Sequence, residues 1–237
     1  MIKGFEVVSL IPAKKNSNGL KNKNLKKIKG ISLVEIAILA SKNSNLIDKT
    51  YVSSDSKKIL SLSKKNGVNS IKRIKRYCNS STTASSVILN FLKELKKEKP
   101  LNKIIIVYLQ PTSPFRNHNH LNSALKKFSK NKVKLLLSVV NVGTKFYKSL
   151  KIKEDKVIPF FKKSDVTANR QKFSDIFLPN GAIYIFYASD FMKKKYLDIT
   201  NAKPFYMNNF ESLDIDDKYD YNHAQKISKE YLIYKKN

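Results

Sequence analysis

Asp214 and Asp216 stand two apart near the end of a chain that carries 47 lysines and arginines against 18 aspartates and glutamates. In an extended segment that spacing points both side chains to one face. Two carboxylates so placed repel each other unless a cation sits between them. Oxygen donors suit Mg²⁺, which keeps several waters and takes one or two carboxylates together with substrate phosphates. The same aspartates could instead meet local lysines or cap the last helix. A second constellation, IPAKKNSNGLKNKN from Ile11 to Asn24, packs Lys14, Lys15, Lys21 and Lys23 with Ser17, Gly19 and several asparagines into one short span. Gly19 permits a turn with positive φ. Exposed amides, ammonium groups and short polar side chains make a cradle for a polyphosphate, or else a lysine-rich surface loop. Thr83, Ala84, Ser85 and Ser86 offer hydroxyls and free helix-start amides, suited to an anion, a base edge or plain capping. Gln110 has an amide that both donates and accepts, Pro111 and Pro114 stiffen the loop after it, and Arg116 is one of only four arginines.

Other chemistries are missing. No GxxxxGK[ST], GxGxxG or HExxH occurs. Cys78 is the only cysteine and has no nearby histidine, which argues against thiol catalysis, a disulfide framework and a zinc cluster. His118, His120 and His223 read as solvated surface residues.

The elements that must hold these groups alternate. Apolar runs at Phe5–Pro12, Lys49–Ser53, Lys103–Leu109 and Leu135–Val140 read as strands, with a short one near Ser70–Ile74. Helical spacing marks Ser32–Asn43, Ser56–Asn66, Thr83–Lys97 and Asn117–Asn131. Ser32 with Glu35 makes a capping box, and Gly67 suits a C-cap. This order predicts an α/β domain with a parallel, doubly wound sheet. Ligands in such sheets bind beyond the carboxyl ends of the strands, where the Ile11–Asn24 loop would lie. The pattern breaks after Val142. Phe146–Lys172 is polar and irregular with strand-like pieces, an expected insertion over 143–175 within a single domain of residues 1–237. Asn180–Tyr187 returns to a core strand. A helix near Asp190–Lys195, a strand at Phe205–Met207, an extended Glu211–Asp216 and a helix over Asp217–Lys235 close the chain.

A formal charge of +29 ordinarily suggests a polyanionic partner. The lysines are spread along the whole chain, however, and arginine, whose fork reads phosphates and bases, is scarce. The excess therefore reads as a bias towards lysine and asparagine rather than a nucleic-acid function. No apolar run reaches the length of a membrane span and no signal-peptide pattern opens the chain. A soluble cytoplasmic protein is expected.

Taken together and in order, these stretches resemble the acylneuraminate cytidylyltransferases, the CMP-sialic acid synthetases. The family opening IPARxxSKGxxxKN stands here as IPAKKNSNGLKNKN. VSTD is Val52–Asp55, TASS is Thr83–Ser86, and LLQPTSPLR is YLQPTSPFR at Tyr108–Arg116. The RQ pair is Arg170–Gln171, PNGAIYI is Pro179–Ile185, and SIDIDTxxD is SLDIDDKYD at Ser212–Asp220. The resemblance spans essentially the whole chain. It implies a Rossmann-like fold of the nucleotide-diphospho-sugar transferase type with a small dimerisation arm, a homodimer, and transfer of CMP from CTP to a nonulosonic acid with Mg²⁺ as cofactor. It implies CTP contacts from Ala13, Lys14, Ser17, Asn24, Ser85 and Ser86, and sugar contacts from Gln110, Arg116, Arg170 and Tyr184. Lys14 and Lys23 would serve catalysis, and Asp214 and Asp216 would hold Mg²⁺. The chain departs from the family pattern at four places: Lys14 replaces an arginine, Asn18 a lysine and Leu178 an arginine, and the usual RP upstream of TASS is Lys75–Arg76. Lys14 keeps the charge and loses the bidentate fork. Rival readings are a 3-deoxy-manno-octulosonate cytidylyltransferase, against which Asn24 in place of a proline argues, a catalytically lapsed nucleotide-binding relative, and a nucleic-acid binder.

Overall fold

The structure, a computed structural model, describes residue 2 and residues 4–16, 19–79, 81–131 and 133–228. The first apolar run is β1 (Glu6–Pro12), buried from Val7 to Ile11. A strand buried on both faces belongs at the centre of a sheet covered by helices. A two-stranded ribbon, β2 (Lys27–Ile28) and β3 (Ile31–Ser32), leads into α1 (Leu33–Lys42). Ser32 and Glu35 form the expected capping box there. β4 (Lys49–Ser54) is followed by α2 (Lys57–Lys65), capped by Ser56 and ended at Gly67, whose φ of +67° accepts the left-handed turn. β5 (Asn69–Lys72), α3 (Ala84–Glu98), β6 (Ile104–Tyr108), α4 (His118–Asn131) and β7 (Leu135–Gly143) continue the alternation.

Between β7 and the next core strand lies a hairpin of β8 (Leu150–Lys153) and β9 (Lys156–Pro159). Its turn residues Glu154 and Asp155 both have positive φ, 51° and 61°, as a two-residue hairpin turn of the primed type requires. β10 (Ile176–Tyr187), α5 (Ala188–Lys194), β11 (Lys203–Met207) and α6 (Lys218–Ile227) complete the described chain. Tyr231 and Leu232, expected on the last helix, lie outside the described residues.

The main sheet has the order β11-β7-β10-β6-β1-β4-β5. All its pairings are parallel except those of β10, which runs antiparallel to β6 and β7. The exception follows from the connection. The chain leaves the carboxyl end of β7, makes the hairpin and returns at the same end, with no helical crossover to reverse it. Helices α1, α2 and α4 pack on one face of the sheet, α3 and α5 on the other. The fold is thus α/β, Rossmann-like and mostly parallel, as expected. A third apolar cluster joins Leu20, Ile28, Leu33, Ile36, Phe115, Ile215 and Ala224. It brings the loop after β1 and the segment before α6 to the same end of the sheet.

One expectation needs correction. The stretch Glu211–Asp216, expected to be extended throughout, begins in a turn at Glu211 and Ser212 and joins no strand. Ser212 N–H donates to Asn208 O and Leu213 N–H to Phe210 O, making turns, and Ile215 N–H donates to Thr112 O at 2.9 Å. Tethering to the loop after β6, rather than strand pairing, sets where its aspartates point. Among the described residues, no helix is long and apolar enough to cross a membrane.

Candidate active site

The loop after β1 is fastened at three points. Ala13 N–H donates to Ser53 O at 2.9 Å. Lys15 N–H donates to Asp55 Oδ1 at 2.7 Å, and Asn24 Nδ2 donates to Lys14 O at 2.8 Å. Asn24 is buried although polar, and that bond is what satisfies its amide. The backbone on either side of Lys14 is therefore held while its ammonium is left to the cleft. Ser17, expected at the nucleotide, and Asn18 lie outside the described residues.

Gly19 is needed for a close approach. A Cβ there would sit 2.3 Å from the backbone oxygen of Asp216, so only glycine lets the two segments meet. Lys23 Nζ donates to Asp216 Oδ1 at 2.9 Å across the same junction.

Asp214 and Asp216 are unequal. Asp216 is exposed, with 76% of its side chain accessible. Asp214 is half-buried, and its Oδ1 has no hydrogen-bond partner among the described residues. Burial pushes its carboxyl above the usual range, against a hydrogen bond from Thr112 that pulls it down, and the Asp216 charge adds to the rise. Gly181, at a φ of +74°, lies beneath it. A Cβ there would stand 2.7 Å from Gln110 Oε1 and 3.9 Å from Asp214 Oδ2. Gln110, Gly181 and Asp214 are thus packed together. Tyr184 rises above its ordinary pKa through burial and then through Asp214, and its ring meets Tyr108 edge-on at 6.1 Å.

A cleft of about 500 Å³ is lined by Pro12, Lys14, Gly19, Lys23 and Asn24, by Arg73, by Thr82, Ala84 and Val87 of the α3 start, and by Tyr108, Gln110, Pro111, Thr112 and Asp216, while Asp214, Gly181 and Tyr184 are not in its wall and pack against Gln110 and Tyr108. A cleft of about 560 Å³ lies at the other end, around Glu6, Asp48 and Lys99. Size does not choose between them. Position does, because only the first lies beyond the carboxyl ends of β1 and β6.

A model of the cytidylyltransferase family matches residues 8–237. The chain belongs to the cytidylyltransferase family.

An N-acylneuraminate cytidylyltransferase of Escherichia coli is 25% identical over 223 residues, covering 94% of this chain and 52% of the relative. A CMP-N,N'-diacetyllegionaminic acid synthase of Legionella pneumophila is 28% identical over 229 residues, covering 94% of this chain and 96% of that one. The chain spans about half the length of the N-acylneuraminate cytidylyltransferases it matches. A solved CMP:2-keto-3-deoxy-manno-octonic acid synthetase in complex with CTP superposes with a TM-score of 0.70 at 12% identity, covering 94% of this chain and 98% of the other. At that identity the likeness speaks to fold.

The remaining residues singled out for a cytidylyltransferase site fall in several places. Ser85 and Ser86 are half-buried in the first turn of α3. Ser86 N–H donates to Thr83 Oγ1 at 3.2 Å, and the two hydroxyls stand 3.0 Å apart. The helix start therefore presents Thr82, Ala84 and Val87 to the cleft instead. Arg116 is fully buried, with NH1 donating to Ala182 O at 3.4 Å. It ties the loop after β6 to β10 and is not part of the cleft wall. Arg170 is exposed in a short 3-10 turn between β9 and β10 and is likewise absent from that wall. His120 is no solvated surface residue. Its Nδ1 accepts from Asn117 N–H at 3.2 Å and its Nε2 lies 3.1 Å from Glu211 Oε1.

Sequence reasoning passed over Arg73. It is buried, donates through Nε and NH2 to Ser53 at 3.2 and 2.8 Å, and reaches the cleft. Burial lowers its pKa without threatening its charge. Asp55, in sequence part of the VSSD stretch, positions the Lys15 amide through its carboxylate.

Among the described residues no set of three or more His, Cys, Asp or Glu is placed to hold a metal. A two-carboxylate Mg²⁺ site completed by phosphate oxygens does not need one. The buried, unpartnered Oδ1 of Asp214 beside the exposed carboxylate of Asp216 fits such a cation by donor type.

Proposed function

We propose that the chain transfers CMP from CTP to the anomeric hydroxyl of a nonulosonic acid of the sialic, legionaminic or pseudaminic type, releasing pyrophosphate. One observation carries the reading: in a chain of the cytidylyltransferase family, the basic loop after β1 and the Asp214–Asp216 segment close on one cleft through Gly19 and Lys23. Full-length matching to the Legionella relative supports the same substrate class.

The anomeric oxygen forms a bond to the α-phosphorus. The bond from that phosphorus to the bridging oxygen breaks, pyrophosphate leaves with the electron pair, and the hydroxyl proton passes to solvent. Lys14 and Lys23 would neutralise the triphosphate and the charge growing on pyrophosphate, an electrostatic task for pre-positioned groups. Asn24 and Asp55 hold the backbone that carries those lysines. The α3 start adds amide donors and a positive dipole end. Gln110, packed on Gly181 beside Asp214, would orient the sugar. Mg²⁺ held by Asp214 and Asp216 would supply further positive charge at the phosphates. We take the enzyme as cytoplasmic and as a homodimer, the latter because the hairpin leaves Leu150, Ile152 and Val157 between 47% and 69% exposed.

The test is pyrophosphate release with CTP and Mg²⁺ across a panel of nonulosonic acids and 3-deoxy-manno-octulosonate, with the other nucleoside triphosphates as controls. Release with CTP and a nonulosonic acid is expected. Release with the octulosonate alone would move the chain to the rival branch. CTP binding with no turnover on any sugar, restored by Lys14→Arg with Asn18→Lys, would mark a lapsed site.

A further inference from the structure

The pair between Lys23 and Asp216 is the only ion pair among residues lining the cleft, within the described residues. It is lopsided. The Lys23 side chain is 13% exposed and its partner carboxylate 76% exposed. An exposed carboxylate is already well solvated, so a long side chain held against it gains little from the contact itself. The pairing is nevertheless enforced from both sides. Asn22, at a φ of 55°, turns the chain into the 3-10 helix that begins at Lys23. Gly19 seats the same loop on the Asp216 backbone, and Asp216 N–H donates to Asp220 Oδ2 at 2.9 Å. Both backbones are held at this junction, so a change of partner would fall to the Lys23 side chain.

We propose that Lys23 is a placeholder cation: before nucleotide arrives it neutralises Asp216 at the oxygen a divalent cation would take, and on loading it moves from Asp216 to the nucleotide phosphates. The proposal rests on the CTP-dependent reading above. Lys23 and Lys14 line one cleft, so the handover needs side-chain rotation alone. It keeps two nearby carboxylates from facing each other uncompensated, because Asp214 has no cationic hydrogen-bond partner among the described residues. It also gives one residue opposite effects on two ligands. Lys23 competes with a metal that comes alone and cooperates with a metal that comes with CTP. Metal and nucleotide are thereby coupled through a side chain, and coupling of this kind is reciprocal.

The experiment uses the intact chain as wild type, Lys23→Gln, Lys23→Arg and Asp216→Asn. Mn²⁺ alone is titrated and free Mn²⁺ followed by electron paramagnetic resonance. CTP binding at saturating Mg²⁺ is measured by calorimetry. Lys23→Gln should bind Mn²⁺ alone about fivefold tighter than wild type, the scale of one exposed ion pair. It should bind CTP with Mg²⁺ about tenfold weaker, the scale of a lost charge-assisted hydrogen bond. Lys23→Arg should stay within about twofold of wild type for Mn²⁺ alone, and Asp216→Asn should lose Mn²⁺ binding. A gain of affinity cannot come from misfolding. Unchanged or weaker Mn²⁺ binding by Lys23→Gln, with CTP binding by wild type intact, overturns the placeholder role and leaves the functional reading standing. Absence of CTP binding by wild type overturns both.

Discussion

At the scale of single residues, Asp214 carries a conflict between stability and use. Burial pushes its carboxyl up, and its Oδ1 lacks a partner among the described residues. Ionising it in the protein alone is unfavourable, because a buried charge is costly unless paired. Such strain is expected where a charge waits for a ligand. Asp214→Asn should therefore cut turnover by about 100-fold or more, the scale of losing one pre-positioned charge stabiliser, without lowering the melting temperature of the metal-free protein. Near-normal turnover in a Mg²⁺ assay would sink the metal assignment. A large drop in melting temperature would instead mark Asp214 as structural. How far such residues can be read in advance depends on what makes them special. Lys14, Gln110, Asp214 and Asp216 can be singled out from type and spacing alone, and Lys14, Gln110 and Asp216 do line one cleft. Arg73 cannot. In a run reading IKRIKR it looks like surface charge, and only the parallel register of β4 and β5 buries it against Ser53. Arg116 erred the other way, since nothing local shows that its guanidinium is enclosed.

At the scale of elements, the strands and helices follow from hydrophobic period and caps, and their bounds match within a residue or two at Ser32, Ser56 and Thr83. What local pattern could not show is how loops from distant parts of the chain are tied together. The irregular stretch of β10 between Pro179 and Tyr184 is such a tie. Asn180 sits in it, buried. Its Oδ1 accepts from Ser138 Oγ and from Ala182 N–H, and its Nδ2 donates to Ser212 Oγ at 2.8 Å. One amide therefore joins β7, the β10 irregularity and the turn that leads to Asp214. Asn180→Ala should cost about 2–3 kcal/mol, because it strands a buried N–H as well as removing bonds. It should also raise the Mg²⁺ concentration needed for half-maximal turnover. Ser138→Ala removes the buried half of the network but leaves the bond to Ser212, so it should destabilise without shifting the Mg²⁺ requirement. Equal shifts in both variants would show that Asn180 acts through general stability alone.

At the scale of the whole molecule, the charge of +29 is a background on which the cleft is built. The hairpin between β7 and β10 departs from that background. Its register pairs Ile152 with Val157 and Leu150 with Pro159, so these four share a face, while Lys151, Lys153 and Lys156 share the other with Ile158. Ile152 is 69% and Val157 61% exposed. A two-stranded ribbon is marginal in water unless its apolar face is covered, and Tyr147 stacked on Phe173 at 4.5 Å secures only its base. A second copy of the chain is the cover expected from the resemblance. Sedimentation velocity at tens of micromolar should show a dimer, and Ile152→Lys with Val157→Lys should convert it to a monomer that keeps its fold by circular dichroism. Both substitutions lie on an exposed ribbon with no place in the main sheet, so loss of fold is not expected to confuse the result. A monomeric wild type would remove the dimer from the functional reading, and a dimer indifferent to the two lysines would move its interface off this face.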